Sequence, residues 1–231
     1  MTERCLTVGC PEVVRLGLMD RCTGEPIPGA ANGYVQSCPR NVTVEPLVRE
    51  GETAEFVSDC GLVVARDKQD DQPLGFTITF ETVTRSNELE ALVTGRTLLA
   101  TGGNNVGTLG LGGLGCGSTT APDPRFSVEL FYKLSTCATG ADHVRWLIPN
   151  VQFGVTEIDK EGTLTVYRYK GISQVSIGEA LTATNAGPFD DLPASIAAAL
   201  TALTATDYIT DLNFEESISI TGSCGTIAVP A

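Results

Sequence analysis

The sequence has one histidine, one tryptophan and two methionines in 231 residues, and its 15 lysines and arginines are outnumbered by 28 acidic residues. Each scarcity removes a class of function. With His143 alone, histidine-built metal sites and most general-base catalysis lack their usual side chain. The formal charge of −13 and the lack of a basic run argue against sequence-independent nucleic-acid binding, which depends on clustered cations releasing counterions from phosphate. No stretch approaches the roughly 20 apolar residues of a membrane-spanning helix. The opening "MTERCLTVGC" carries charge where a secretory signal needs an apolar core. A soluble chain without a signal peptide is expected.

Cysteine is plentiful: eight residues, five of them (Cys5, Cys10, Cys22, Cys38, Cys60) in the first quarter. Mostly wide spacings and a single histidine speak against zinc, whose ligands must converge on one ion. Buried free thiols are the first expectation, because free cysteine packs as a small hydrophobe. Disulfides remain a second possibility, and their pairing is not legible from spacing.

Glycine is concentrated in "TGGNNVGTLGLGGLGCGSTTAPDP", Thr101 to Pro124. Two phosphate-binding fingerprints can be spelled from it, G-x-G-x-x-G at Gly110 to Gly115 and a near P-loop at Gly112 to Thr119. Both need a helix whose free N–H groups hold the phosphate. Pro122 and Pro124 stand where that helix would grow, and Ser118 replaces the P-loop lysine. No nucleotide or other cofactor is expected; the stretch reads as a long small-residue loop.

Elsewhere, short alternating segments dominate. "RFSVELFYKL" places Phe126, Val128, Leu130, Tyr132 and Leu134 on one face and Arg125, Ser127, Glu129 and Lys133 on the other, the pattern of a half-buried strand interrupted by Phe131. "FTITFET" repeats it. In "VRWLIPNVQFGVTEI" the apolar phase flips at Pro149-Asn150, which predicts a bulge that keeps both halves on one core. "DKEG" followed by "GTLTVYRYKGISQVSI" predicts a hairpin, and further strands are expected at "PEVVRLGLMD", "NGYVQS", "NVTVEPLV", "AEFVSD", "CGLVVAR" and "ESISITG". Two packing helices are expected, one in "SNELEALVTG" with Asn87 as cap and Gly95 as stop, the other in "DDLPASIAAALTALTA". The fold class is therefore mainly β: an antiparallel sandwich or barrel of two packed sheets with one or two short flanking helices. One domain, 1–231, is expected, with a protruding loop at 101–124 and possible terminal arms.

Catalytic signatures are missing. No G-x-S-x-G surrounds any serine, and Cys137 with His143 lies in a turn-like "CATGADH" that nothing marks as nucleophilic. "DKQDD" (Asp67, Asp70, Asp71) lacks calcium-loop spacing and reads as a solvated turn. A non-enzymatic role is expected.

Taken in order, "TGEPIPGAANGYVQSCPRNVTVEP", "GLVVARDKQDDQPLGFTITFETVTRSNELEALVTG", the Gly-rich loop, "RFSVELFYKL", "HVRWLIPNVQFG", "GTLTVYRYKGISQ" and "NAGPFDDLP" resemble the major tail (tail tube) protein of long, non-contractile-tailed bacteriophages, particularly of actinobacterial hosts. The likeness spans about Thr23 to Pro193 and rests on the order of segments rather than a strict motif. It implies a structural virion subunit that forms hexameric rings, stacked into a tube around the tape measure protein and later the passing double-stranded DNA. Tail terminator and distal tail proteins are the implied end partners, and the implied location is the virion tail, with the host cytoplasm during assembly. No membrane partner is implied.

Under that resemblance, Gly102, Gly103, Asn104, Asn105, Gly112, Gly113, Gly115 and Gly117 are candidates for a contact between rings, ordered only on stacking. Glu129, Glu157, Asp159 and Glu161 are candidates to face the lumen, where carboxylates repel DNA phosphate. Surface solubility explains the acidity equally well. Another virion component, such as a capsid decoration or tail-end protein, and a carbohydrate-binding β-sandwich are the alternatives.

Overall fold

The computed structural model describes residues 7–20, 23–57, 63–95, 98–99, 108–109, 124–135, 143–154, 156–173, 188–189, 210–214 and 224–230. Its strands, in chain order, are β1 (Thr7–Met19), β2 (Gly29–Ser37), β3 (Asn41–Arg49), β4 (Thr53–Val57), β5 (Val63–Lys68), β6 (Gln72–Thr82), β7 (Leu98–Leu99), β8 (Thr108–Leu109), β9 (Arg125–Ser135), β10 (His143–Phe153), β11 (Glu157–Glu161), β12 (Leu164–Ser173), β13 (Thr210–Phe214) and β14 (Gly225–Val229). Among the described residues one helix, α1 (Asn87–Thr94), is present, after β6.

Ten strands form one sheet in the order β14-β2-β1-β9-β10-β12-β6-β3, with β11 beside β12 and β13 beside β10. All its pairings are antiparallel. The mainly β antiparallel class expected from alternation is what forms. Where two packed sheets were expected, these ten strands make one continuous sheet that curls, since β1 and β3, far apart in hydrogen-bonded order, come into contact. Val14, Leu16 and Tyr34 from one half thereby share a core with Ile78, Phe80 and Tyr169 from the other.

The bulge predicted in β10 is present. Ile148 opposes Val128 while Val151 opposes Phe126, so β10 carries one extra residue at Pro149-Asn150. Val144 and Ile148 before it, and Val151 and Phe153 after it, all reach the same core. The strand also changes its second neighbour there: β13 runs beside its first half and β12 beside its last three residues.

Helix α1 covers this core with Leu89 and Val93, as the sequence stripe predicts. Its cap is Ser86, not Asn87: Ser86 holds extended backbone and its Oγ accepts from the Leu89 N–H at 3.1 Å. Gly95 ends it in the left-handed region at φ 65, where a side chain would be strained. The second expected helix, in 190–205, lies outside the described residues, as does the strand expected at "ESISITG". Strands β13 and β14 were not expected.

The β3–β6 pair continues outward as the β4–β5 ribbon, joined where Gln69 N–H donates to Glu52 O at 3.0 Å and Gly51 N–H to Asp71 Oδ1 at 3.0 Å. The "DKQDD" segment is thus the corner between β5 and β6.

Burial pushes the phenol of Tyr132 up to about 12 and those of Tyr169 and Tyr34 upward from 10.0. An unfolded chain ionises these groups first, so their contribution is complete below pH 10 and is lost as pH rises toward and through the raised values. Urea midpoints are therefore expected to fall steeply above pH 10. A flat profile up to pH 12 would contradict the burial of these rings.

Candidate assembly surface

Three of the four acidic candidates converge. Glu157, Asp159 and Glu161 alternate along β11 and so share one face. The register sets Glu157 opposite Arg168, and Arg168 in turn opposite Glu81 on β6. Arg168 spreads its guanidinium across all three strands: Nε donates to Glu81 Oε1 at 2.8 Å, and NH1 to Asp159 Oδ2 at 2.7 Å and Glu157 Oε2 at 3.5 Å. Arg40, just before β3, pairs with Glu161. Four carboxylates meet two guanidiniums, which leaves the patch acidic.

The hydrogen bond from Arg40 holds the Glu161 carboxyl below its ordinary 4.5 and raises the Arg40 guanidinium in return. A lowered acid stabilises the fold above its unfolded value and loses that contribution as pH falls through the folded one. In Arg40→Ala, carboxyl NMR should show Glu161 titrating at a higher pH than in the parent. An unchanged titration would dissolve the pairing. Both side chains are well solvated, so little effect on stability is expected.

Glu129 corrects the fourth expectation. It is fully buried and cannot face a lumen. "RFSVELFYKL" is not half-buried either: Ser127, Glu129 and Phe131, on its nominally polar face, are as inaccessible as Val128 and Leu130. The cause is that both faces of β9 are covered: Val128 and Leu130 pack in the shared core, and the other face carries the buried side chains of Arg15 and Arg145. Glu129 accepts from Arg15 Nε at 2.8 Å and from Arg145 NH1 at 3.1 Å, a two-armed ion cluster on adjacent strands. The Arg15 guanidinium is also sandwiched between the rings of Phe131 and Phe189, each 4.7 Å away. Gly17 and Gly33, cross-strand partners, make room for this: a Cβ on Gly17 would lie 2.6 Å from Pro188, and one on Gly33 2.8 Å from Phe189. Charge spacing carried no sign of the cluster; Phe131 breaking the polar face was the one available hint.

The ring-contact candidates Gly102, Gly103, Asn104, Asn105, Gly112, Gly113, Gly115 and Gly117 lie outside the described residues. Within that stretch only Thr108–Leu109 is described, paired as β8 with Leu98–Leu99 of β7.

The sheet borders complete the surface. Among the described residues β3 has one strand neighbour, β6, and β14 has one, β2. On its outer side each has no described strand beside it, the arrangement that invites pairing with another chain. β3 is nine residues long and mostly accessible, and Thr226 and Ala228 of β14 are exposed.

His143 begins β10, at the strand entrance expected for it, but its side chain lies outside the described set. Trp146 is partly buried against the core, with its ring 5.0 Å from that of Tyr132. Cys38 and Cys224 are exposed free thiols, a correction to the expectation of burial; the other six cysteine side chains are outside the described set. Among the described residues no group of three or more His, Cys, Asp or Glu is placed to hold a metal ion, and no helix is long and apolar enough to cross a membrane. No protein-family model and no curated protein matches the sequence.

Proposed function

We propose that this protein is a self-assembling structural subunit whose sheet is completed by copies of itself, and that the assembly is a phage tail tube of stacked hexameric rings. The observation that carries the reading is the pair of borders that are open among the described residues, β3 at one end of the main strand path and β14 at the other. Two different borders on one subunit make a head-to-tail contact, which closes into a ring when the rotation allows it. The sequence resemblance supplies the ring number and the partners: the tape measure protein inside, tail terminator and distal tail proteins at the ends, and DNA passing without specific binding. In this reading the work of the protein is geometric and its place is the virion tail.

The acidic face of β11, β12 and β6 fits the lumen role better than any single carboxylate. Glu157, Asp159 and Glu161 share one face there, and the arginines beneath hold them in place. Six subunits would carry about −78 in total, so rings repel DNA and one another at low salt. Screening beyond a Debye length of roughly 8 Å should favour assembly at physiological ionic strength.

Negative-stain microscopy across a concentration series tests the reading. Uniform hollow filaments are expected, and their threshold concentration should rise roughly tenfold or more in Thr226→Lys/Ala228→Lys, because lysines on a border oppose strand addition. Circular dichroism should be unchanged. Discrete particles at every concentration would overturn the proposal.

A further inference from the structure

The geometry points to a reversible disulfide between Cys38 and Cys224, a covalent clamp on the β14 border. Cys38 directly follows β2 and Cys224 directly precedes β14. Because β14 runs antiparallel to β2, with Gly225 opposite Val35, both cysteines come to the same end of one strand pair. Their surroundings interlock. The Cys224 sulfur accepts from Gln36 Nε2 at 3.4 Å and lies 3.9 Å from the Ser37 carbonyl oxygen. That carbonyl belongs to the peptide leading into Cys38, which places the sulfur within ~7 Å of the Cys38 Cα. A disulfide needs the two Cα atoms 4.4–6.8 Å apart, and movement of Cys224, just before β14, is what brings its sulfur onto that of Cys38.

The two sides differ in how firmly they are held. Cys38 is fixed, since its N–H donates to Glu12 O at 2.8 Å and its backbone is pinned in the left-handed region at φ 49. Cys224 sits at the entrance to the last strand of the chain, which is held by β2 alone among the described strands. Both thiols are exposed and open to an oxidant. A low-molecular-weight disulfide such as oxidised glutathione balances the step. One protein thiolate attacks it and expels a glutathione thiolate; the second attacks the mixed disulfide and expels the other. The two thiol protons leave with the two reduced glutathiones. The closed bond constrains the unfolded chain over most of its length and ties the start of β14 to the end of β2.

The test uses the full chain incubated with oxidised glutathione, then alkylated and digested without reductant. A peptide joining Cys38 to Cys224, about 2 Da lighter than its two reduced parts, is expected. The thermal midpoint should rise by several degrees and fall back with dithiothreitol. In Cys38→Ser and in Cys224→Ser the linked peptide and the rise should both vanish. If both cysteines of the folded parent protein instead carry separate glutathione or alkyl groups, with no linked peptide, the clamp is refuted; this readout does not depend on the variants folding.

Discussion

Glu129→Ala is expected to destabilise the fold by about 3–5 kcal/mol, the usual cost of removing one partner from a buried ion cluster. The carboxylate answers two guanidiniums, Arg15 and Arg145, in a region where all three side chains are almost fully inaccessible. Without it, two positive groups on the strands that flank β9 lose the carboxylate they share. Neither can swing into water: Arg145 is among the largest fully buried side chains, and Arg15 is clamped between two aromatic rings. Glu129→Gln keeps the volume and one acceptor oxygen and should lose less. Urea denaturation at neutral pH distinguishes the outcomes, and a change below 1 kcal/mol for Glu129→Ala would mean that the cluster is energetically idle. Glu161→Ala, which removes an exposed partner, is the control and should leave the midpoint almost unmoved.

Phe80→Ala should cost about as much, roughly 3–5 kcal/mol, through lost burial and the cavity left behind. The ring stacks on Tyr169 with centroids 4.8 Å apart and meets Phe153 edge-on at 5.8 Å, so one side chain ties β6, β12 and the last part of β10 together. Gly171, beside them, leaves the room this packing uses, since a Cβ there would lie 2.6 Å from Val151 and 2.9 Å from Phe153. The surroundings are therefore already close-packed and can collapse only partly into a hole. Leu74→Ala on β6, nearly half exposed at 46%, should move stability by no more than ~0.5 kcal/mol. Similar losses from both substitutions would remove Phe80 from its place at the centre of the core.

The candidate surface was legible only in part. Glu157, Asp159 and Glu161 stand out in the sequence because acids alternate beside a glycine turn, and the fold does bring them onto one face. Nothing local revealed their counterparts: Glu81 and Arg168 meet through the register of β6 with β12, and Arg40 reaches Glu161 from before β3. The Glu129 expectation failed because alternation shows which residues share a face but not whether that face meets water. The borders were not legible: the longest alternating segments became β9, β10 and β12, inside the sheet, and β14 itself was missed. Five residues of weak alternation carry too little pattern to separate a strand from a loop.

What the sequence determined by itself were the features set within a few residues: the period-2 strands, the extra residue at Pro149-Asn150, and the α1 helix with its stop at Gly95, its start being one residue earlier, at Ser86, than the Asn87 cap read from the pattern. Strand order, the curl that joins both halves of the sheet over one core, and the covering of β9 on both sides were decided only by tertiary structure. These depend on partners far away in the chain, such as Glu129 with Arg15 or Phe80 with Tyr169, whose contact energies exist only once the strands have come together.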